Sequence, residues 1–316
     1  GGGRMTEREA GALPDTVATI GVFDGVHLGH RALLRRVVER AAEMGALSCC
    51  ITFSPHPEEV LRPDLEIRHL SPLEDRLEAI RGAGMSRVEL LEFTPELSRL
   101  SPEEFIAMLL ARFRLRELWV GADFALGKDR AGGHDRLAAI GRDRGFTVHS
   151  FPPVEQGGRV VSSSRIRSSL AEGNVAYAAL LLGRPYRLRG TVKEGRRRGR
   201  TLGFPTANLD FVERLALPAD GVYAAWALTH TGGRLPAAVS IGLRPTFEQE
   251  GERLVEVYLL DFQGDLYHSN LAVDFVERLR GEERFYGADS LIERMKEDVR
   301  DVRELLGLLP QGVEDR

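Results

Sequence analysis

Two histidines, His27 and His30, lie three residues apart in a turn that is rich in glycine. The apolar run over 17–22 predicts a buried strand before the turn, and apolar residues at helical spacing over 31–44 predict a helix after it. The first N–H groups of such a helix lack partners inside the helix and can bind an anion. Each imidazole can also donate a hydrogen bond to a phosphate oxygen. The turn therefore predicts a phosphate site, with a glycine-rich turn carrying two surface histidines as the alternative.

The turn belongs to a series of strands and helices that alternate through the first half of the chain. Further strands are predicted at 46–53, 87–93, 117–121 and 145–151. Helices are predicted over 137–144 and after two Ser-Pro-x-Glu segments, Ser71–Glu74 and Ser101–Glu104, because this pattern forms a capping box. Such alternation predicts a parallel sheet covered by helices on both faces, with ligands bound beyond the carboxyl ends of the strands.

Polar segments follow several of these strands. His56 stands between two prolines, and Asp123 and Phe124 follow the strand that ends at Gly121. Farther on, Ser162–Arg167 places three serines and two arginines at a predicted helix start. Hydroxyl groups, free N–H groups and a guanidinium together suit a triphosphate, although a serine cap followed by solvated arginines has the same pattern. The prolines alone explain His56 equally well, since they shape a turn.

The composition limits the class of protein. With 316 residues, 43% of them hydrophobic and 28% charged, the chain is globular and long enough for two domains. Its net charge is −4, and the parts before and after Tyr186 both have a small acidic excess, so we expect no nucleic-acid partner. Its only cysteines, Cys49 and Cys50, are neighbours in a predicted strand and point to opposite faces. A disulfide framework is excluded, a cytoplasmic location is favoured, and no apolar run is long enough to span a membrane.

The second half has a different character. Gly183 and Pro185 end the last helix of the first half. Five strand-like runs then follow without long helices between them: 186–192, 222–229, 237–241, 254–261 and 271–280. Turn residues separate these runs, and only 290–308 is predicted as a helix. This pattern is typical of a small antiparallel barrel with a closing helix.

Residues 195–209 combine glycines, arginines and two neutral oxygen ligands. Four arginines in five positions, over 196–200, indicate a solvated or phosphate-facing loop more than a nucleic-acid reader, since neither half is basic. Thr206 and Asn208 lie on one side of an extended segment, where a hydroxyl and an amide oxygen can hold Mg²⁺ bridged to nucleotide phosphates. Glu256 is an acidic residue inside an apolar strand, a position that a solvent-facing side chain also explains.

The motifs of the first half resemble those of one enzyme family. Gly21–His30 resembles the H-x-G-H turn of the nucleotidyltransferase superfamily, in the G-x-F-D-G-x-H-x-G-H form seen in bacterial FAD synthetases. Three further segments, in order and at plausible spacing, resemble the adenylyltransferase module of these enzymes: Phe53–Pro57, Val120–Gly127 and Ser162–Arg167. Two positions depart from the pattern: Ser164 replaces Thr, and Leu126 replaces an aromatic residue.

The second half resembles the riboflavin kinase of the same family. Gly199–Leu209 is very similar to the kinase signature that ends in P-T-A-N. Four further segments match: Asp220–Tyr223, Ile241–Phe247, Glu256–Phe262 and Asp265–Tyr267. Ser240 stands where Asn is common, and Glu256 aligns with the proposed catalytic base of the family.

The resemblance covers about 17–308 and implies a bifunctional riboflavin kinase/FAD synthetase of the prokaryotic type. The implied fold is α/β plus β. It has an N-terminal Rossmann-like nucleotidyltransferase domain with a parallel sheet (5–183) and a C-terminal antiparallel β-barrel with a closing helix (187–316). The second domain would phosphorylate riboflavin to FMN with ATP, and the first would adenylylate FMN to FAD and release pyrophosphate. We then expect Mg²⁺ as the cofactor, riboflavin, FMN and ATP as small-molecule partners, and a monomer or weak homo-oligomer.

The resemblance also implies roles for single residues. His27, His30 and Arg167 would stabilise charge during adenylyl transfer, and Glu256 would be the base of the kinase. In the first domain, ATP would contact Gly21, Val22, Phe23, Asp24, Gly29, Ser162, Ser163 and Ser164. Flavin or nucleotide would contact His56, Asp123 and Phe124. In the kinase, ATP would contact Gly195, Gly199, Arg200, Gly203, Phe204, Pro205, Thr206 and Asn208. Mg²⁺ would be held by Thr206 and Asn208.

Two other functions are compatible with the sequence. The first domain could transfer a nucleotide to another phosphate acceptor, with the barrel as a noncatalytic flavin-binding module. Absence of FMN after incubation with riboflavin, ATP and Mg²⁺ would favour that function. The chain could instead bind nucleic acid through 196–200, which salt-sensitive binding to RNA or DNA without flavin turnover would show.

Overall fold

The computed structural model describes residues 13–127, 131–193, 206–243 and 253–308. These residues form two compact units. The first comprises the described residues up to Ile67 together with Leu73–Val161, and the second comprises Arg68–Pro72 together with the described residues from Ser162 onward. The boundary between the two functional domains, which the sequence places between 183 and 187, stays a prediction.

The first unit is built on a five-stranded parallel sheet. Its strands are β1 (Asp15–Ile20), β2 (Leu47–Ser54), β3 (Arg87–Glu92), β4 (Arg114–Gly121) and β5 (Thr147–Phe151). They run in the order β3-β2-β1-β4-β5, and each neighbouring pair is parallel. The chain order reverses between β1 and β4, which is where open α/β sheets bind their ligands.

Helices cover both faces of this sheet. They are α1 (Leu28–Met44), α2 (Pro57–Leu61), α3 (Leu73–Gly82), α4 (Pro95–Ser98), α5 (Pro102–Leu110) and α6 (His134–Arg144). A short hairpin, β6 (Glu155–Gln156) and β7 (Arg159–Val160), follows β5. One core contains Cys50 with apolar residues of α1 and α3, and the other contains Cys49 with those of α5 and α6. The predicted doubly covered parallel sheet is confirmed, as are the opposite faces of the cysteines.

One of the two predicted capping boxes forms. At the start of α5, the Ser101 hydroxyl accepts a hydrogen bond from the Glu104 N–H at 3.2 Å, and the Glu104 carboxylate accepts one from the Ser101 N–H at 2.8 Å. At the start of α3, the buried Ser71 hydroxyl has no hydrogen-bond partner among the described residues, so the capping box predicted there is wrong. The backbone just before it pairs elsewhere, since His69 bridges to Leu215 within the second unit.

The second unit contains a closed barrel. Its strands are β8 (Arg187–Lys193), β9 (Thr206–Asp210), β10 (Gly221–Thr229), β11 (Arg234–Leu243), β12 (Arg253–Leu259) and β13 (Asn270–Arg280). They are antiparallel, in the closed order β10-β11-β12-β9-β8-β13. Helices α7 (Ser163–Ala171) and α8 (Val175–Leu182) precede the barrel, and α9 (Ala288–Leu305) follows it. The predicted barrel and closing helix are confirmed.

Side chains of the barrel strands alternate between its interior and its outer face. On β12, Val255 and Val257 are fully buried, whereas Tyr258 is only partly buried and packs against α9. A buried ion pair fixes α9 to β13, because Arg280 donates to both carboxylate oxygens of Asp298 at 2.8 Å. No helix in the described ranges combines the length and apolar character needed to cross a bilayer.

Candidate active sites

The turn between β1 and α1 has an unusual backbone. Phe23, Gly25 and Val26 have φ angles of 56°, 74° and 42°. This region disfavours a β-branched residue such as Val26, at a cost of roughly 1–3 kcal/mol. Phe23 and Val26 are each 2% exposed, so their packing holds the conformation. Backbone strain of this kind clusters at functional sites.

The two histidines stack on each other at the start of α1. Their ring centroids are 3.6 Å apart and the rings are 15° from parallel. The His30 ring also packs edge-on with Phe23, at 5.1 Å between centroids. His27 caps α1, because its Nδ1 accepts a hydrogen bond from the His30 backbone N–H at 3.3 Å. His27 is buried, so the alternative of two surface histidines is wrong.

Both imidazoles are neutral at pH 7. Burial lowers the pKa of His27 to about 4, and burial together with the neighbouring His27 lowers the pKa of His30 well below its usual value. Because Nδ1 of His27 accepts a hydrogen bond, its proton sits on Nε2, which can donate to a ligand. The buried Nδ1 of His30 has no hydrogen-bond partner among the described residues. An unsatisfied buried nitrogen costs about 1–3 kcal/mol, which a bound ligand can remove.

The buried histidines predict that stability depends on pH. The unfolded chain binds a proton at His27 near pH 6.5, whereas the folded protein does so only near pH 4, so the unfolded state binds more protons in between. We expect the free energy of unfolding of the first unit to fall by about 3 kcal/mol for this residue as the pH drops through that window. Denaturant titrations across the window measure it. His27→Asn should flatten the dependence and the more exposed His134→Asn should not; equal slopes in both would contradict burial of His27 as the cause.

Two glycines of the turn leave room for its rings. A Cβ on Gly29 would lie 3.2 Å from Cε1 and 3.3 Å from Nδ1 of His27, and a Cβ on Gly21 would lie 3.2 Å from the Phe23 ring. Contacts at this distance are tighter than nine in ten real Cβ contacts, so the rings would have to shift by a few tenths of an ångström. Asp24 is 2% exposed within the same turn. The structure thus brings together the predicted nucleotide-binding residues between Gly21 and His30.

Buried polar side chains hold the strand ends beside this turn. Arg76 is 5% exposed and donates to the Val22 carbonyl at 3.0 Å and to the Phe53 carbonyl at 2.8 Å. The Thr52 hydroxyl donates to the same Val22 carbonyl at 3.0 Å. These bonds join the carboxyl ends of β1 and β2 and so fix where the turn begins. The sequence motifs do not predict a role for Arg76. The pattern that could have indicated its burial is its position four residues before Ile80, on the apolar stripe of α3.

The other predicted contacts of the first unit have structural explanations. His56 caps α2, and its N–H donates to the Glu59 carboxylate at 3.0 Å in a capping box. Phe124 packs against the core that contains α5 and α6, whereas Asp123 is exposed. Leu126 is buried in the same core, so its aliphatic side chain contacts the protein interior. Contacts of His56, Asp123 and Phe124 with flavin or nucleotide stay predictions.

The serine and arginine segment opens α7 in the second unit. The Ser162 hydroxyl accepts a hydrogen bond from the Arg165 N–H at 3.3 Å, so Ser162 is the N-cap. Arg167 donates from Nε to the Arg68 carbonyl at 2.7 Å. Ser163 begins the helix and Ser164 is exposed. A position of this segment opposite the histidines stays a prediction.

A row of polar residues crosses the outer face of the barrel. Asn208 of β9 is the register partner of Glu256 on β12, and Ser240 of β11 is the partner of Glu256 on its other side. Directly opposite residues have Cβ atoms about 4.5–5.5 Å apart. Thr206 lies two residues before Asn208 on the same face, because the intervening Ala207 is buried. The structure therefore brings together Thr206, Asn208 and Glu256.

Glu256 has the properties of a proton acceptor. It is partly buried, between the fully buried Val255 and Val257, and burial raises its pKa. A carboxylate with a raised pKa binds a proton more readily than an exposed one. The alternative interpretation of Glu256, as a solvent-facing residue of an alternating strand, therefore does not explain its partial burial. Six further predicted kinase contacts lie outside the described residues: Gly195, Gly199, Arg200, Gly203, Phe204 and Pro205.

Comparison with known proteins identifies the family. The sequence profile of FAD synthetase matches residues 10–165, and that of riboflavin kinase matches residues 182–306. A bifunctional riboflavin kinase/FMN adenylyltransferase from Pseudomonas fluorescens is 41% identical over 92% of this chain and 92% of its own length. The chain belongs to this bifunctional family. A relative of the same name from Listeria monocytogenes is 34% identical over 93% of both chains, and one from Escherichia coli is 36% identical over 92% of this chain and 93% of its own.

A solved structure matches most of the chain. It is described as a macrolide-efflux protein from Streptococcus pneumoniae, has a TM-score of 0.84 and 32% identity, and covers 93% of this chain and 95% of its own. The efflux description concerns that protein, and the likeness to this chain is one of fold and sequence.

The enzyme has two activities. Its C-terminal domain phosphorylates riboflavin to FMN with ATP, and its N-terminal domain adenylylates FMN to FAD. Riboflavin, FMN and ATP are therefore its small-molecule substrates. This finding replaces the alternative of a noncatalytic barrel. The nucleic-acid alternative stays untested, because 196–200 lie outside the described residues.

Proposed function

We propose that phosphoryl transfer to riboflavin takes place on the outer face of the barrel, at Thr206, Asn208 and Glu256. The pairing of Asn208 with Glu256 carries this proposal, since it sets a proton acceptor beside neutral oxygen ligands. The riboflavin 5′-hydroxyl attacks the γ-phosphorus of ATP, Glu256 takes the hydroxyl proton, and ADP leaves. Positioning and charge neutralisation supply most of the acceleration in such transfers.

The oxygen atoms of this site suit Mg²⁺. The Thr206 hydroxyl and the Asn208 amide oxygen are hard ligands on one face, next to the Glu256 carboxylate. Within the described ranges, no group of three or more His, Cys, Asp or Glu side chains is placed to hold a metal ion. Thr206 and Asn208 would therefore hold Mg²⁺ together with the ATP phosphates, and the bound ion would neutralise phosphate charge.

Adenylyl transfer would use the histidine turn. The FMN phosphate attacks the α-phosphorus of ATP and pyrophosphate leaves, so no protein nucleophile is required. The neutral rings of His27 and His30, with the free N–H groups of α1, donate hydrogen bonds where negative charge develops. Arg167 and Ser162–Ser164, on the helix that follows Val161, are the proposed further donors.

A flavin turnover assay tests the two proposed sites together. The full-length protein is incubated with riboflavin, ATP and Mg²⁺, and the flavins are separated by chromatography over time. We expect FMN to appear first and FAD to follow, and chelation of the metal ion to stop FMN formation. FMN formation that persists without a divalent cation would contradict the proposed metal site at Thr206 and Asn208.

Gly29→Ala is expected to slow FAD formation from added FMN. The new Cβ would press on the His27 ring at 3.2 Å, and small misplacement of a catalytic group costs up to about 10²-fold in rate. FMN formation from riboflavin in the same protein serves as the internal reference and should not change. Gly82→Ala is the matched control, because no heavy atom lies within 4 Å of a Cβ built there. Equal rates in the two variants would remove the position of the His27 ring from the mechanism.

We also propose a cytoplasmic location and a monomer or weak homo-oligomer. Cys49 and Cys50 are free thiols, as is usual for proteins of reducing compartments. Size-exclusion chromatography with light scattering measures the oligomeric state.

A further inference from the structure

Lys193 lies in the same row as the proposed kinase residues. It is the last residue of β8, and its register partner on β9 is Asn208, which in turn pairs with Glu256. The alternation of β8 buries Val192 and leaves Lys193 exposed on the outer face. Lys193 is thus one strand away from a proposed metal ligand and two strands away from the proposed base.

The present partner of Lys193 holds it weakly. Its Nζ lies 2.6 Å from Oδ2 of Asp210, which is two residues beyond Asn208 on the same face. The two side chains are 63% and 39% exposed. Exposed ion pairs of this kind contribute about 0–1 kcal/mol, because water screens both charges. A phosphate group that carries more negative charge than one carboxylate can therefore displace Asp210 as the partner of Lys193.

The carboxylates of this face oppose the binding of ATP phosphates unless cations offset them. Two carboxylates, Asp210 and Glu256, flank Asn208 and repel phosphates. In the row formed by Lys193, Asn208, Glu256 and Ser240, Lys193 is the cationic member. In the sequence, it also stands two residues before Gly195, where the glycine-rich segment begins that is predicted to cover the phosphates.

We propose that Lys193 is a phosphate-binding residue of the kinase, released from Asp210 when ATP binds. Asp210 holds the lysine beside Asn208 in the free enzyme and competes with the nucleotide for it. The inference rests on the proposed kinase site at Asn208 and Glu256. It adds a residue that contacts the triphosphate of ATP and a carboxylate that opposes this contact.

The test compares two variants that break the same ion pair, Lys193→Met and Asp210→Asn, in the full-length enzyme. If Lys193 binds phosphate, Lys193→Met raises the KM for ATP in FMN formation by about tenfold or more, because hydrogen bonds to charged groups are strong. Asp210→Asn lowers that KM, since it frees the lysine. Lys193→Arg keeps the positive charge and should raise the KM for ATP by less than Lys193→Met does, and the KM for riboflavin changes in none of the variants. An unchanged KM for ATP in Lys193→Met, or a rise of the same size in both variants, overturns the proposal.

Matched controls separate charge and stability effects from phosphate binding. Lys296→Met removes a lysine that pairs with Glu293 at 2.7 Å on α9 in the same unit, with similar exposure. It should leave the KM for ATP unchanged, and FAD formation from added FMN should be unchanged throughout. Glu256→Gln is measured in parallel. Full kinase activity in Glu256→Gln would overturn the placement of the site, whereas an inactive Glu256→Gln with a normal Lys193→Met would overturn only the role of Lys193.

Discussion

Replacement of Glu256 by Gln is expected to abolish FMN formation while the conversion of added FMN to FAD continues at the wild-type rate. Gln has nearly the size of Glu, so the backbone pairing of residue 256 with Asn208 can remain. Its amide, however, cannot take the proton of the riboflavin hydroxyl. Loss of a general base costs about 10²–10⁴-fold in rate. The two rates are measured on one preparation, with riboflavin or FMN as the starting flavin.

Measuring both activities in one variant distinguishes loss of the base from unfolding. An unfolded variant would lose both activities, whereas a variant without its base loses one. Glu277→Gln is the matched control, because Glu277 is also a partly buried glutamate of the same barrel, on β13, outside the row of Asn208 and Glu256. Kinase activity of Glu256→Gln within a fewfold of that control would exclude Glu256 as the base.

The combined variant His27→Asn and His30→Phe should show the opposite pattern, with FMN accumulating and FAD formation lost. Asn is a good N-cap and preserves the start of α1 without reaching the ligand as an imidazole does. Phe keeps a ring in edge contact with Phe23 but has no N–H group. Removing one donor that stabilises transition-state charge costs about 10²–10³-fold, so the pair should cost at least about 10³-fold.

His134→Asn is the control for this experiment. His134 is the first residue of α6 in the same unit, and it is more exposed than His27. A normal rate of FAD formation in the combined variant would exclude the two imidazoles from the reaction. An equal loss of FMN formation would instead contradict the assignment of separate activities to the two domains.

Local features of this enzyme could be predicted from its sequence. The spacing of His27 and His30 places both rings at one helix start, and the period of two in strands places Thr206 and Asn208 on one face. The ends of elements were less predictable. The apolar run predicts that β1 reaches Val22, but β1 ends at Ile20, since the Val22 carbonyl bonds to Thr52 and Arg76. The helical spacing predicts α1 from 31 onward, but α1 begins at Leu28, because His27 supplies the cap.

Features that depend on distant parts of the chain could not be predicted from the residues alone. Asn208 and Glu256 are brought together by strand register, which the packing of the whole barrel sets. The burial of Arg76 depends on its hydrogen bonds to the carbonyls of Val22 and Phe53, which two different strands bring together. Short helices such as α2 have too few residues for a periodic pattern, and only the cap at His56 marks α2.

The placement of the two cysteines has a consequence for chemical reactivity. Cys49 and Cys50 face the two cores of the sheet, and burial raises the pKa of Cys49 to about 12 and that of Cys50 above its usual value. Both are therefore protonated and shielded, so oxidants have no ready thiolate to attack in the folded enzyme. A thiol reagent gains access only when β2 separates from its neighbours. Since the chain has no other cysteine, the rate of labelling reports directly how often β2 opens.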